Sequence, residues 1–135
     1  MAKKPPRDPL CPCDSGIPFA LCCAPFLSGE VPAPSAEALM RSRYCAYVRR
    51  AAAYLLRTWH PTTRPTSLDF TQDDNLRWLG LKILQRTAGE PGDHEGTVEF
   101  VARFKHGGKA GRMREISRFV REEGNWYYVD GDMVA

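Results

Sequence analysis

Two periods of apolar residues divide the chain. Across residues 35–59 the sequence is rich in Ala, Leu, Met and Arg, and Leu39, Ala46, Tyr47, Tyr54 and Leu55 recur at spacings near three, four and seven. That pattern predicts one long helix or a broken pair of helices. Ser35 suits an N-cap, and Glu37 places an anion in the first turn, where the helix dipole favours it. His60-Pro61 ends the run, because the residue before proline is pushed out of the helical region. Residues 61–68 read as a loop and 71–76 as a short helix. After Leu76 the period falls to two. Residues 78–86 and 97–105 are predicted strands, the second with Val98, Phe100, Ala102 and Phe104 on one face and Glu99, Val101, Arg103 and Lys105 on the other. Glycines 107, 108 and 111 turn the chain into a third strand at 112–122. Glu123-Gly124-Asn125 then reverses it into a fourth at 126–129. Helices first and an antiparallel meander afterwards predict an α+β fold, a curled sheet folding over long helices.

Ahead of this domain (35–135) lie three shorter segments: a Pro-rich polar N-terminus at 1–10, expected to be disordered, a cysteine-rich segment at 11–27, and a connector at 28–34 punctuated by Gly and Pro. With 135 residues, 43% hydrophobic and 26% charged, the chain suits one globular domain with a small appendage. Its apolar runs fall far short of the roughly 18 residues that a membrane span needs. The net charge of +3 is too even for an obvious nucleic-acid protein, although its distribution is uneven. Residues 1–67 hold nine basic and four acidic side chains, +5, and residues 68–135 hold ten and twelve, −2. Lys3, Lys4 and Arg7 imitate the start of a signal peptide, but Pro5, Pro6, Asp8 and Pro9 stand where its apolar core would begin. A cytoplasmic address is therefore expected, and there clustered cysteines stay reduced and more often bind metal than pair.

Four of the five cysteines fall in Cys11-Pro12-Cys13-Asp14-Ser15-Gly16 and Cys22-Cys23. Two tight thiolate pairs with a short loop between them suit a four-coordinate ion, which needs four soft ligands at roughly 2.3 Å when it is zinc. Pro12 stiffens the first pair and Gly16 permits the reversal. Disulfides within each pair would be strained, although cross-pairing between the pairs is geometrically open. Iron suits a four-thiolate site as well as zinc does. Cys45, alone on the helix, reads as a small buried apolar residue.

The Cys11–Cys23 run resembles the SEC-C motif, the small zinc-binding module first known at the C-terminus of the SecA translocation ATPase. Leu39-Met40-Arg41-Ser42-Arg43-Tyr44, Thr58-Trp59-His60-Pro61, Val98-Glu99-Phe100-Val101-Ala102-Arg103-Phe104 and Trp126-Tyr127-Tyr128-Val129-Asp130-Gly131 extend a resemblance to the bacterial YchJ family along nearly the whole chain. The resemblance implies a cystatin-like cone of the nuclear-transport-factor-two type, with long helices on a curved antiparallel sheet. It also implies protein partners in export or translation, such as a secretion chaperone or the ribosome, and dimerisation through the sheet as in many proteins of this fold. The family carries no assigned reaction. SEC-C modules often have Lys after Ser-Gly and a basic stretch before the last ligands. Here Ile17-Pro18-Phe19-Ala20-Leu21 is uncharged, which weakens a nucleic-acid role.

Cones of this type often enclose a cavity. Its candidate polar and aromatic lining is Arg41, Arg43 and Tyr44 on the helix, Trp59 and His60 at its end, Glu115 and Ser117 on the third strand and Tyr128 on the fourth. Glu115 would serve as a general base if burial raised its pKa, with His60 as an acid. The plainer reading is an arginine–glutamate ion pair of structural value and a histidine that caps carbonyls at the helix end. A pocket role requires a cavity of about 300 Å³ or more. Three readings follow in order: a metal-bearing interaction protein on a cone scaffold, a small-molecule binder or enzyme using the cone, and nucleic-acid binding.

Overall fold

Ser35 begins the main helix as its sequence predicts, its Oγ accepting the Ala38 N–H at 3.1 Å. The computed structural model describes residues 9–70 and 74–134. After a 3-10 turn (Phe19–Leu21) and a single helical turn, α1 (Ala24–Leu27), come α2 (Ala36–Arg49) and α3 (Ala52–Arg57). The broken pair is thus the arrangement adopted. Arg50 takes a left-handed conformation, φ 58°, and its N–H bonds the Ala46 and Tyr47 carbonyls. No Gly or Pro marks this break; packing imposes it. Ala51 N–H closes on Ala46 C=O at 2.8 Å, and Tyr54 folds back so that its hydroxyl meets Ser42 Oγ at 2.7 Å.

Four antiparallel strands follow in sequential order: β1 (Leu76–Ala88), β2 (Glu95–His106), β3 (Lys109–Glu122) and β4 (Asn125–Met133). Each runs longer than its apolar alternation suggests, because ladder pairing continues through polar ends such as Thr87↔Thr97. The short helix expected at 71–76 has residues 71–73 outside the described set. Its described part is a turn at Asp74-Asn75, after which Leu76 opens β1 against His106. Register shifts between Trp78 and Gly80 and between Ile83 and Gln85 bend β1, as bulges do. The frayed tail expected at 1–10 lies outside the described residues up to Asp8. Pro9 and Leu10 belong to the cysteine loop: Phe19 N–H bonds Pro9 C=O at 2.9 Å and Leu10 pairs with Pro18.

The core lies between the sheet and α2. Val98, Phe100 and Ala102 of β2, Phe119 of β3 and Trp126 of β4 face Leu39, Met40 and Tyr44 of α2. Burying such a side chain contributes about 1.5–3 kcal/mol, so this seam holds the helix on the sheet. α2 is buried on its other side too: Ser42 and Ala46 meet α3, and Cys45 meets the cysteine loop. No helix among the described residues is long and apolar enough to cross a membrane.

Candidate metal centre and cone cavity

The loop from Pro9 to Cys23 is folded by its own backbone. Cys11 N–H bonds Ile17 C=O at 2.8 Å and Asp14 N–H bonds Cys11 C=O at 3.1 Å, while Asp14 and Gly16 take positive φ. This turn places Cys11 and Cys13 over Cys22 and Cys23. The four Sγ atoms all lie within 4.8 Å of one another, with Cys13–Cys22 at 3.7 Å and Cys22–Cys23 at 3.9 Å. A tetrahedral ion with sulfur at about 2.3 Å has S–S edges of roughly 3.8 Å, so the donor set fits a metal ion. Cys11, Cys13 and Cys23 are buried, and Ser15 Oγ lies 3.1 Å from Cys22 Sγ. Hydrogen bonds from the Cys23 and Cys45 thiols hold Cys13 well below the ordinary cysteine range, while Cys23, bonded to Cys13, is pushed up. All five cysteines are free thiols.

Two polar contacts dock the loop on the domain. Arg41 Nη1 donates to Cys13 C=O at 2.7 Å while its Nε pairs with Glu37 at 3.0 Å. Asp14 Oδ2 accepts the Leu81 N–H of β1 at 2.9 Å. Gly80 makes room for this carboxylate: a Cβ there would stand 2.8 Å from Asp14 Oδ2 and 2.5 Å from Arg103 Nη2. Arg49 lies over the Phe19 ring at 4.1 Å. Cys45 is buried as expected, yet it is no bystander, since its Sγ sits 3.4 Å from Cys11 Sγ. Helical spacing puts Cys45 on a buried face but does not reveal that the covering segment is the cysteine loop.

On the sheet side of α2 a cavity of about 240 Å³ is lined by Arg43, Tyr44, Glu115, Ser117 and Tyr128. That falls short of the roughly 300 Å³ set for a pocket role, so the cone is hollow but smaller than expected, with room only for a small molecule. Arg43 is buried, and its Nη1 donates to Leu55 C=O at 2.8 Å and Thr58 Oγ1 at 2.7 Å. Its guanidinium lies 5.0 Å from the Trp59 ring centre and 4.7 Å from that of Tyr128. Burial pushes its pKa down. Glu115 accepts from Ser117 Oγ and, at 3.4 Å, from the Tyr128 hydroxyl. The expected arginine–glutamate ion pair does not form: the described ion pairs include neither Arg43 nor Glu115.

Three of the candidates lie outside the lining, Trp59 standing behind it against Arg43 and Tyr128. Arg41 faces the cysteine loop, and His60 sits at the strand ends, where its Nε2 is 3.0 Å from Glu122 and its Nδ1 2.7 Å from Thr62. His60 neither caps a helix carbonyl with its ring nor joins the cavity wall. Tyr47, Trp78, Phe100 and Ala102 complete the lining together with Met40 and Met113, two residues that the sequence reading does not single out although Met40 stands three residues before Arg43 on the helix and Met113 two before Glu115 on the strand.

A docked four-thiol loop and a helix-lined curved meander define a SEC-C finger joined to an NTF2-like domain. Residues 10–25 match the SEC-C motif, and residues 35–131 match the family described as YchJ, middle NTF2-like domain. The chain therefore belongs to the YchJ family. It is 54% identical over 123 residues to a UPF0225 protein of Chromobacterium violaceum, covering 90% of each chain. Its fold is similar to the solution structure of a SEC-C motif containing protein from Rhodopseudomonas palustris. That match has a TM-score of 0.81 and 35% identity, over 93% of this chain and 98% of the other. A crystal structure of a SEC-C motif containing protein from Psychrobacter arcticus matches with a TM-score of 0.73 and 27% identity, over 93% and 82%.

Proposed function

We propose that the finger holds one zinc ion through Cys11, Cys13, Cys22 and Cys23, and that the folded finger is a cytoplasmic protein-docking element mounted on the cone scaffold. The convergence of the four sulfurs within 4.8 Å carries this reading. A closed set of four thiolates leaves no open coordination position, which suits a structural zinc rather than a catalytic one. The surface over that centre is apolar: Leu10 is 65%, Ile17 46% and Leu21 75% exposed. Apolar side chains around the uncharged 17–21 stretch suit a protein partner better than a phosphate backbone. The SEC-C likeness supports seeking that partner in export or translation, at a secretion chaperone or the ribosome.

Elemental analysis of reduced protein tests the first half, with about one zinc per chain expected and none in Cys11→Ser/Cys13→Ser. Co-sedimentation with ribosomes and binding to a purified secretion chaperone test the second. Leu21→Glu should abolish whichever association occurs while retaining the zinc; association with neither partner overturns the docking role.

A further inference from the structure

We infer that the cone cavity binds a small zwitterion with an apolar body, the class that includes the apolar α-amino acids. The cavity lies across α2 from the finger and shares no lining residue with the cysteine cluster. Its volume of about 240 Å³ equals the liquid share of roughly eight waters, which suits a molecule of about nine heavy atoms.

Charge sets the ligand class. The lining carries one cation, Arg43, and one carboxylate, Glu115, and Tyr128 keeps them apart. The guanidinium stacks 4.7 Å from the Tyr128 ring centre, whereas Glu115 is reached by the hydroxyl at the far end of that ring. The cavity wall therefore carries a cation against the face of one phenol and a carboxylate at its hydroxyl. Nη1 of Arg43 is engaged by Leu55 and Thr58 and the Tyr47 hydroxyl also bonds the guanidinium, which leaves at most two of its five N–H donors for a ligand carboxylate. A simple anion entering here meets Glu115, and a simple cation meets Arg43. An uncharged apolar molecule strips water from both charges and returns nothing to either. A zwitterion satisfies both, its carboxylate at Arg43 and its ammonium at Glu115. Its apolar body then lies against Met40, Trp78, Phe100 and Met113.

Amide-resolved NMR titration of the full-length, metal-loaded protein tests this with L-leucine, L-methionine and L-phenylalanine. The half-ligands 4-methylpentanoate and 3-methylbutylamine, each with one of leucine's two charges, serve as controls. Saturable shifts at Met40, Phe100, Met113 and Ser117 are expected with at least one amino acid, the half-ligands binding at least about tenfold more weakly. Glu115→Gln, which keeps the bond to Ser117, should lose about tenfold for the amino acid and nothing for 4-methylpentanoate. No saturable shift up to ~10 mM amino acid, or equal affinity for the half-ligands, overturns the inference. If Glu115→Gln fails to fold, the wild-type comparison of whole and half ligands decides it alone.

Discussion

Cys45 on α2 presents its Sγ to Cys11 Sγ at 3.4 Å, so the finger and the main helix meet sulfur to sulfur. Hydrogen bonding to Cys13, burial and the Cys11 contact push the Cys45 thiol above the ordinary cysteine range. A thiol held toward its neutral form can donate across this contact to Cys11 Sγ. Groups that hydrogen-bond a metal ligand orient it and tune its basicity. Cys45→Ala should keep one metal per chain while weakening metal affinity by about 10–100-fold, measured by chelator competition. Complete loss of the metal would show that Cys45 is itself a ligand; unchanged affinity would deny it any role.

Gly80 is the gap through which Asp14 reaches β1. In Gly80→Ala the added methyl displaces Asp14 from the Leu81 N–H and presses on Arg103. Leaving that amide without its carboxylate should cost about 1–3 kcal/mol, read as a lower denaturant midpoint with an unchanged slope. Asp14→Asn, which keeps an acceptor oxygen, should cost less.

Arg43 is held by geometry as much as by charge. Arg43→Lys removes the planar group stacked between Trp59 and Tyr128 and cannot serve Leu55 and Thr58 in the same way. A loss of about 2–4 kcal/mol is expected for Arg43→Ala, and Arg43→Lys should recover less than half of it in urea unfolding. Full recovery by lysine would reduce the role of Arg43 to that of a point charge.

Buried phenols set the alkaline limit of the fold. Tyr44 is pushed up to about 12, by burial first and then by the Asp14 carboxylate. Burial also raises Tyr47, Tyr54 and Tyr128. The folded state thus keeps protons that an unfolded tyrosine releases near pH ~10. This stabilisation is fully present below that pH and is lost as pH rises through about 12. Phenolate absorbance of the native protein should rise together with unfolding above pH ~10, rather than ahead of it.

Much of this was readable from residue order because local chemistry and burial agree. Val98, Phe100 and Ala102 alternate and are buried; Ser35 caps; the cysteine spacing brings four sulfurs together. What residue order leaves open shares a cause. It allows one long helix or a broken pair, and despite the good helical propensity of Arg50-Ala51-Ala52 the chain breaks there, where Tyr54 folds back to meet Ser42. Arg41 and Arg43 look equivalent in sequence, yet one bonds the finger and the other the cavity wall. A helix covered on two sides has no polar face to betray which neighbour lies where.

That double cover makes α2 a shared wall, with Cys45 against the finger and Arg43, two residues earlier, against the cavity. An ion that binds only the assembled thiols must then add its free energy to the folding of the sheet as well as of the loop. With the proposed ion bound, the distant strands should open less often, and amide exchange in β2 and β3 should quicken when the ion is stripped. In thermodynamic terms an ion held as proposed would make the finger a clamp on the whole domain, tying the rigidity of the sheet to four sulfurs at its edge.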